Sequence, residues 1–172
     1  MFEGQHETNI DSKGRVGLVQ RYREHFKEEV VVLRWKDHMR IFTPQKFENL
    51  AGYVAKQLSF DSEEGVRNFF NPKLQRDRRF FFGNKFEMSF DAQGRLTIPK
   101  MLRDSLDFYD EVVWNGCRDY LELWAKKHYE ADRAQWEQAG GFDKLFASVA
   151  PASGDPLAQD DGSGSDGEDR DE

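Results

Sequence analysis

One cysteine, Cys117, is all that the 172 residues carry, so no internal disulfide forms and a reducing compartment is implied. Apolar runs are short. None approaches the roughly 18 residues of a membrane span, so no membrane partner is expected. The first residues, Met1 to Gln5, hold neither a basic stretch nor an apolar one, and no secretory signal is expected. His6, His25, His38 and His128 lack metal-ligand spacing, and a single cysteine cannot build a zinc knuckle. Phosphate-cradling glycine-rich loops are missing too, since Gly14 and Gly94 stand alone in their turns. Cys117 and His128 make no recognisable nucleophile motif, and no carboxylate pair stands out from the many surface acids. An enzyme is therefore not expected, nor a catalytic residue, metal, cofactor or small-molecule substrate.

Aromatic residues are plentiful at 14%, which excludes wholesale disorder despite 33% charged residues. The net charge of −7 argues at first against an anionic partner, but it is unevenly placed. Residues 150–172 contain eight acids and one base, which leaves 24 acids and 24 bases in residues 1–149. The body is neutral. The tail, rich in Asp, Gly and Ser and without aromatics, cannot offset the entropy of ordering and reads as disordered. Its plain role is solubility; a sharper one is competition with an anionic ligand for a basic surface.

Sliding the sequence by 80 residues aligns Phe2 with Phe82, Glu7 with Glu87, Asp11 with Asp91, Gly14 with Gly94 and Arg15 with Arg95. Arg23 meets Arg103 and Val32 meets Val112. Beyond a two-residue insertion the offset becomes 82, pairing Asp37 with Asp119 and Ile41 with Leu123. The body reads as a tandem duplication.

Each half has one grammar. A strand (about 5–10; 85–90) runs into Asp-Ser-Lys-Gly-Arg or Asp-Ala-Gln-Gly-Arg, and a second strand follows (16–19; 96–98). A short helix comes next (about 20–29; 99–106), then two strands (30–34 and 38–42; 111–114 and 120–124), with turns at Asp37-His38 and Asn115-Gly116. Thr43-Pro44 opens a helix striped with Phe47, Leu50, Ala51, Val54 and Leu58. Asp61 and Glu64 cap another that carries Val66, Phe69 and Phe70. Residues 125 to about 139 form a helix with Tyr129 and Trp136 inward, stopped by Gly140-Gly141 before a short apolar segment, Phe142 to Val149.

The twin turns carry the chemistry. Asp11 and Asp91 accept hydrogen bonds from backbone N–H groups two residues on, and Gly14 and Gly94 supply positive φ. Arg15 and Arg95 then leave a rigid base, their guanidinium groups suited to bidentate bonds with phosphate or guanine. The plainer alternative is that each arginine pairs with the aspartate four residues back and simply holds the hairpin. Lys13, Arg21 and Arg23 flank the first motif, and Lys100 and Arg103 follow the second, as phosphate contacts or as solvated helix faces. Arg76, Arg78, Arg79 and Lys85 cluster at the junction of the halves and read as a linker with solvating charges.

Two Asp-x-x-Gly-Arg motifs, Gly94-Arg95-Leu96-Thr97-Ile98-Pro99 in the second half and Met1-Phe2 with His6 upstream resemble the MraZ family of bacterial transcriptional regulators, over residues 1 to about 147. The first half departs at Val16-Gly17-Leu18-Val19-Gln20, which lacks the Ile-Pro step of the second. The resemblance implies an α+β fold: two tandem AbrB-like strand–turn–strand–helix–strand–strand repeats forming a small antiparallel β-barrel, with flanking helices. The corresponding division is 1–72 and 85–149 for the repeats, 73–84 for the junction and 150–172 for the tail. It also implies a homo-oligomeric ring in the cytoplasm, at the nucleoid, binding double-stranded DNA at tandem promoter repeats of a division or cell-wall gene cluster. Asp11, Arg15, Asp91 and Arg95 are the motif residues carried over. The rival is a non-enzymatic ring of cradle-shaped barrels that binds a protein or peptide.

Overall fold

The computed structural model describes residues 1–26, 29–56 and 63–149. The acidic tail and the expected roles of Leu58 and Asp61 lie outside them. By internal packing the chain divides into two units, Met1–Glu130 and Ala131–Glu172.

In chain order the first unit holds β1 (Phe2–Asn9), β2 (Arg15–Gly17), α1 (Gln20–Arg23), β3 (Glu29–Trp35), β4 (His38–Phe42), α2 (Pro44–Lys56), α3 (Glu63–Phe69) and α4 (Pro72–Gly83). It continues with β5 (Lys85–Ser89), β6 (Arg95–Thr97), α5 (Lys100–Leu106), β7 (Glu111–Arg118), β8 (Leu121–Ala125) and the start of α6 (Lys126–Gln138). The second unit takes up the rest of α6 and adds α7 (Gly141–Val149).

Six strands form one antiparallel sheet in the order β1-β7-β8-β4-β3-β5, while β2 and β6 pair separately. The valine run of β3 shows why the sheet is central. Val30 and Val32 face one apolar cluster, Val31 and Leu33 a second on the opposite face. A strand buried on both sides needs such a continuous apolar run. The larger cluster gathers Val16, Leu96, Leu102, Leu106, Trp114, Leu121 and Leu123, all fully buried. Each buried side chain of this size contributes roughly 1.5–3 kcal/mol of transfer free energy. Trp114 also donates its Nε1–H to the Gly17 carbonyl at 2.9 Å, satisfying its one polar atom. On the other face α2 lays Phe47 and Ala51 over Val31, Leu33 and Phe42, with Phe81 of α4 stacked on Phe47.

The α+β class with an antiparallel sheet stands; the closed barrel does not. The six-stranded sheet ends at β1 and β5, and only single bridges, Ile10 with Val16 and Phe90 with Leu96, lead from those edges to the β2–β6 ladder. β2 and β6, three residues each, are too short to extend the pairing further. β2 and β6 also start one residue earlier than the apolar pattern suggests, and they end two residues and one residue earlier. Leu18 and Ile98 instead donate their N–H groups to the carbonyls of Gly94 and Gly14, both at 2.8 Å.

Other expectations need correcting. Asn115-Gly116 lies inside β7, and the turn falls at Arg118–Tyr120, where Arg118 takes φ 65°. Gly116 is there for another reason: a Cβ on it would come within 2.5 Å of the Glu3 backbone nitrogen, so β1 passes directly against it. The first-half turn is Lys36-Asp37, one residue earlier than expected, with His38 in β4. The helix expected over 20–29 is the four-residue α1, whose N-terminus has no side-chain cap. The junction forms α4, started by Asn71, whose side chain accepts from the N–H groups of Lys73 and Leu74, and by Pro72 in the first turn. In the second unit Trp136 is 40% exposed, not inward, and meets Phe142 edge-on at 4.8 Å. The apolar segment from Phe142 to Val149 belongs to α7, which leaves Phe142, Leu145, Phe146 and Val149 exposed.

Candidate nucleic-acid interface

The two turns are built from the same bonds. Asp11 Oδ1 accepts from the N–H groups of Lys13 and Arg15, both at 2.9 Å; Asp91 Oδ1 accepts from Gln93 at 3.0 Å and Arg95 at 2.9 Å. Gly14 (φ 78°) and Gly94 (φ 71°) return their N–H groups to the Asp11 and Asp91 carbonyls at 2.8 Å. Only glycine takes that φ without a steric penalty.

With Oδ1 used by the backbone, Oδ2 is left for the arginine. Arg15 donates to it from Nε at 2.7 Å and Nη2 at 2.6 Å; Arg95 does the same to Asp91 at 2.8 and 2.7 Å. The Arg15 hydrogen bond and the turn's N–H groups hold the Asp11 carboxyl down to about 2, and the Arg95 bond lowers Asp91 in the same way. Both pairs therefore stay ionised throughout the neutral range and loosen only as the pH falls toward those depressed values.

The pairing with Asp is thus real, but it occupies one edge of each guanidinium only. Arg15 and Arg95 side chains remain 29% and 35% exposed. On Arg15 the outer Nη1/Nη2 edge is open; on Arg95 Gln93 Oε1 takes one Nη2 hydrogen at 3.0 Å. Arg15 is accordingly the freer donor.

The β2–β6 register brings the two together. Arg15 sits opposite Thr97 and Arg95 opposite Gly17, with Val16 and Leu96 between them turned into the core. Alternation puts both arginines on the outer face as diagonal neighbours, with Cα atoms about 7–8 Å apart.

The helix arginines cross over. Arg103 lies against the Gly14 turn and Arg23 against the Gly94 turn: a Cβ on either glycine would meet the opposing Nε at 2.6 Å. Arg23 Nε also donates to the Leu18 carbonyl at 3.1 Å, whereas Arg103 Nε is buried with no partner. The sequence marked these two as a matched pair but gave no sign of the crossing. Arg21 turns away to bind the Glu3 carbonyl, His6 Nε2 at 2.6 Å and the Tyr22 hydroxyl at 2.8 Å, tying α1 to β1. Lys100 pairs with Asp104 at 2.5 Å. Lys13 is exposed on the first turn. Lys13, Arg15, Arg23, Arg95 and Arg103 thus gather around the ladder against the carboxylates of Asp11 and Asp91.

A second polar cluster went unnoticed in the sequence. Glu122, buried on β8, accepts from Trp124 Nε1 at 3.0 Å and faces His38 Nε2 at 3.3 Å and Arg40 Nε at 3.4 Å. Cys117 is close to it, and burial first, then the Glu122 charge, push its thiol up to about 11. A thiol held neutral at pH 7 is not an activated nucleophile. Among the described residues no group of three or more His, Cys, Asp or Glu side chains is placed to hold a metal, and no helix is long and apolar enough to cross a membrane.

A family profile described as "MraZ protein, putative antitoxin-like" matches residues 1–68 and again 81–145, one Asp-x-x-Gly-Arg turn falling in each span. The chain belongs to the MraZ family. A protein named transcriptional regulator MraZ from Neisseria meningitidis serogroup A is 31% identical over 140 residues, 78% of this chain and 87% of the relative. Relatives of the same name from Roseiflexus castenholzii and Desulforamulus reducens are 32% and 30% identical. The alignment to the first covers 76% of this chain and 85% of the relative, and that to the second 87% and 97%. Family membership thus extends over both halves and both turns.

Proposed function

We propose that this protein is a non-enzymatic, sequence-specific DNA-binding transcriptional regulator of the cytoplasm and nucleoid. The supporting observation is the outer face of the β2–β6 ladder, where two Asp-braced guanidinium groups stand side by side, the outer edge of Arg15 open and that of Arg95 shared with Gln93. Arg15 and Arg95 make the principal contacts, Arg15 the stronger, and Lys13 adds an exposed charge. Arg23 and Arg103 brace the opposite turns and contribute positive potential, Arg21 ties α1 to β1, and Lys100, exposed beside Asp104, adds charge after the second motif.

One such face neutralises few phosphates, and log affinity falls with log salt by only about 0.9 per phosphate. The reading therefore includes a ring of protomers on tandem promoter repeats before a division or cell-wall gene cluster, where linked sites gain effective concentration. Repeats spaced near 10–10.5 base pairs, or a multiple, present the same groove to successive protomers. The two repeats, 1–72 and 85–149, joined by 73–84 and followed by the tail, supply the paired turns of each protomer.

The test is retention on duplex DNA across a salt series. Arg15→Ala should weaken binding more than Arg95→Ala and flatten the salt slope, with the assembly state unchanged by light scattering. Equal affinity and slope in the double variant would sink the proposal.

A further inference from the structure

A cavity of about 530 Å³ opens between the end of β3, α2 and α4, away from the β2–β6 face. That volume falls in the range of about 300–1,000 Å³ usual for small-molecule sites. Val54, Leu74, Phe80 and Phe81 line it, with Trp35 at one side. Three cations border it as well, Arg34, Lys36 and Arg78, against one carboxylate, Asp77.

Two features set these cations apart from ordinary surface charge. Arg34 Nε is buried and has no hydrogen-bond partner, an uncommon state for a buried donor. Lys36 takes φ 35° in the β3–β4 turn, a conformation in which glycine is cheaper. A cationic rim on an apolar chamber suits an anion that arrives with an apolar body. Water alone would leave the aromatic wall unfilled.

We propose that this cavity binds a single-chain amphiphile with an oxyanion head, the chain against Val54, Leu74 and Phe81 and the head on Arg34, with Lys36 and Arg78 beside it. Charge selects the head: the rim favours an anion over a neutral or cationic group, and an arginine fork fits carboxylate and phosphate alike.

Trp35 supplies the reporter. Full-length protein is titrated with 11-bromoundecanoate, 11-bromoundecyl phosphate and 11-bromo-1-undecanol below their micelle thresholds, while tryptophan quenching by bromine is followed. Saturable quenching by at least one anionic probe is expected, about tenfold tighter than by the alcohol, and Trp35→Phe should remove the saturable part. Arg34→Gln should weaken the anion about tenfold without changing the alcohol. Val54→Trp should block all three. Lys36→Gly keeps the test valid if Arg34→Gln fails to fold, because relieving the positive φ should preserve or raise the melting temperature while anion affinity falls severalfold. Equal affinity for anion and alcohol, no saturable quenching by either anion, or unchanged binding in Val54→Trp overturns the proposal.

Discussion

Replacing Glu122 by Gln isolates the value of one buried charge. The antiparallel register sets Arg40 opposite Glu122 and His38 opposite Trp124, so the four side chains meet on one face of the β4–β8 pair, His38 stacked on Trp124 at 3.9 Å. Glu122 is only 8% exposed. Burial by itself raises its carboxyl, but hydrogen bonds from His38 and Trp124, with the charges of His38 and Arg40, outweigh this and hold it at about 2, against an ordinary 4.5. A folded-state value below the unfolded one stabilises above the unfolded value, and that stability is lost as the pH falls through the folded value. The difference is worth about 3 kcal/mol at pH 7, roughly half of that at pH 3 and little at pH 2. Glutamine keeps the shape and resembles the protonated acid, so Glu122→Gln should cost about 3 kcal/mol at pH 7, with the gap to wild type closing in acid. Urea unfolding of both proteins at pH 7, 4.5 and 3 measures the gap directly, and other carboxylates cancel in the comparison. A gap that stays constant with pH, or one below about 1 kcal/mol at pH 7, refutes the reasoning.

Gly116→Ala places a methyl 2.5 Å from the Glu3 nitrogen and 2.7 Å from the Phe2 carbonyl carbon, so β1 must move; the expected loss is about 1–3 kcal/mol in thermal or urea unfolding. Gly17→Ala is the matched control: nothing lies within 4 Å of its Cβ position, and stability should be unchanged or slightly raised. Asp11→Asn retains an acceptor for the Lys13 and Arg15 N–H groups but removes the charge that orients Arg15. It should leave the melting temperature near wild type at pH 7 while weakening DNA retention, and retention equal to wild type would show that orientation of the arginine is immaterial.

Much of this was legible in the sequence because local chemistry specified it. Thr43-Pro44 begins α2 as read, with the Phe47 N–H returning to the Thr43 carbonyl at 3.0 Å, and the Asp-x-x-Gly-Arg turns close on the bonds their side chains demand. What escaped depends on partners distant along the chain. Asn115-Gly116 has the composition of a turn, yet β1, more than a hundred residues earlier, passes against Gly116 and keeps the segment extended. The run from Lys73 to Gly83 is too charged to show an apolar stripe, and its helix is held by the Asn71 cap and by Phe81 packed against Phe47. Glu122 looked like one surface acid among many. Only the pairing of β4 with β8 reveals that its neighbours are a histidine, an arginine and an indole.

The pairing between halves also explains why neither turn is structurally complete alone. Within a half, Asp and Gly shape the turn and Asp grips its arginine, but the far side of each turn is finished by the other half. Leu18 bonds to the Gly94 carbonyl and Ile98 to the Gly14 carbonyl, while Arg23 and Arg103 lie across the opposing glycines. The β2–β6 ladder between them has three residue pairs, too few to be stable without the buried Val16 and Leu96 beneath. Damage to one turn therefore propagates: loosening Gly94 frees Arg23 and the end of β2, and with them the strand that presents Arg15. Each arginine is thus mounted on structure that the other half completes.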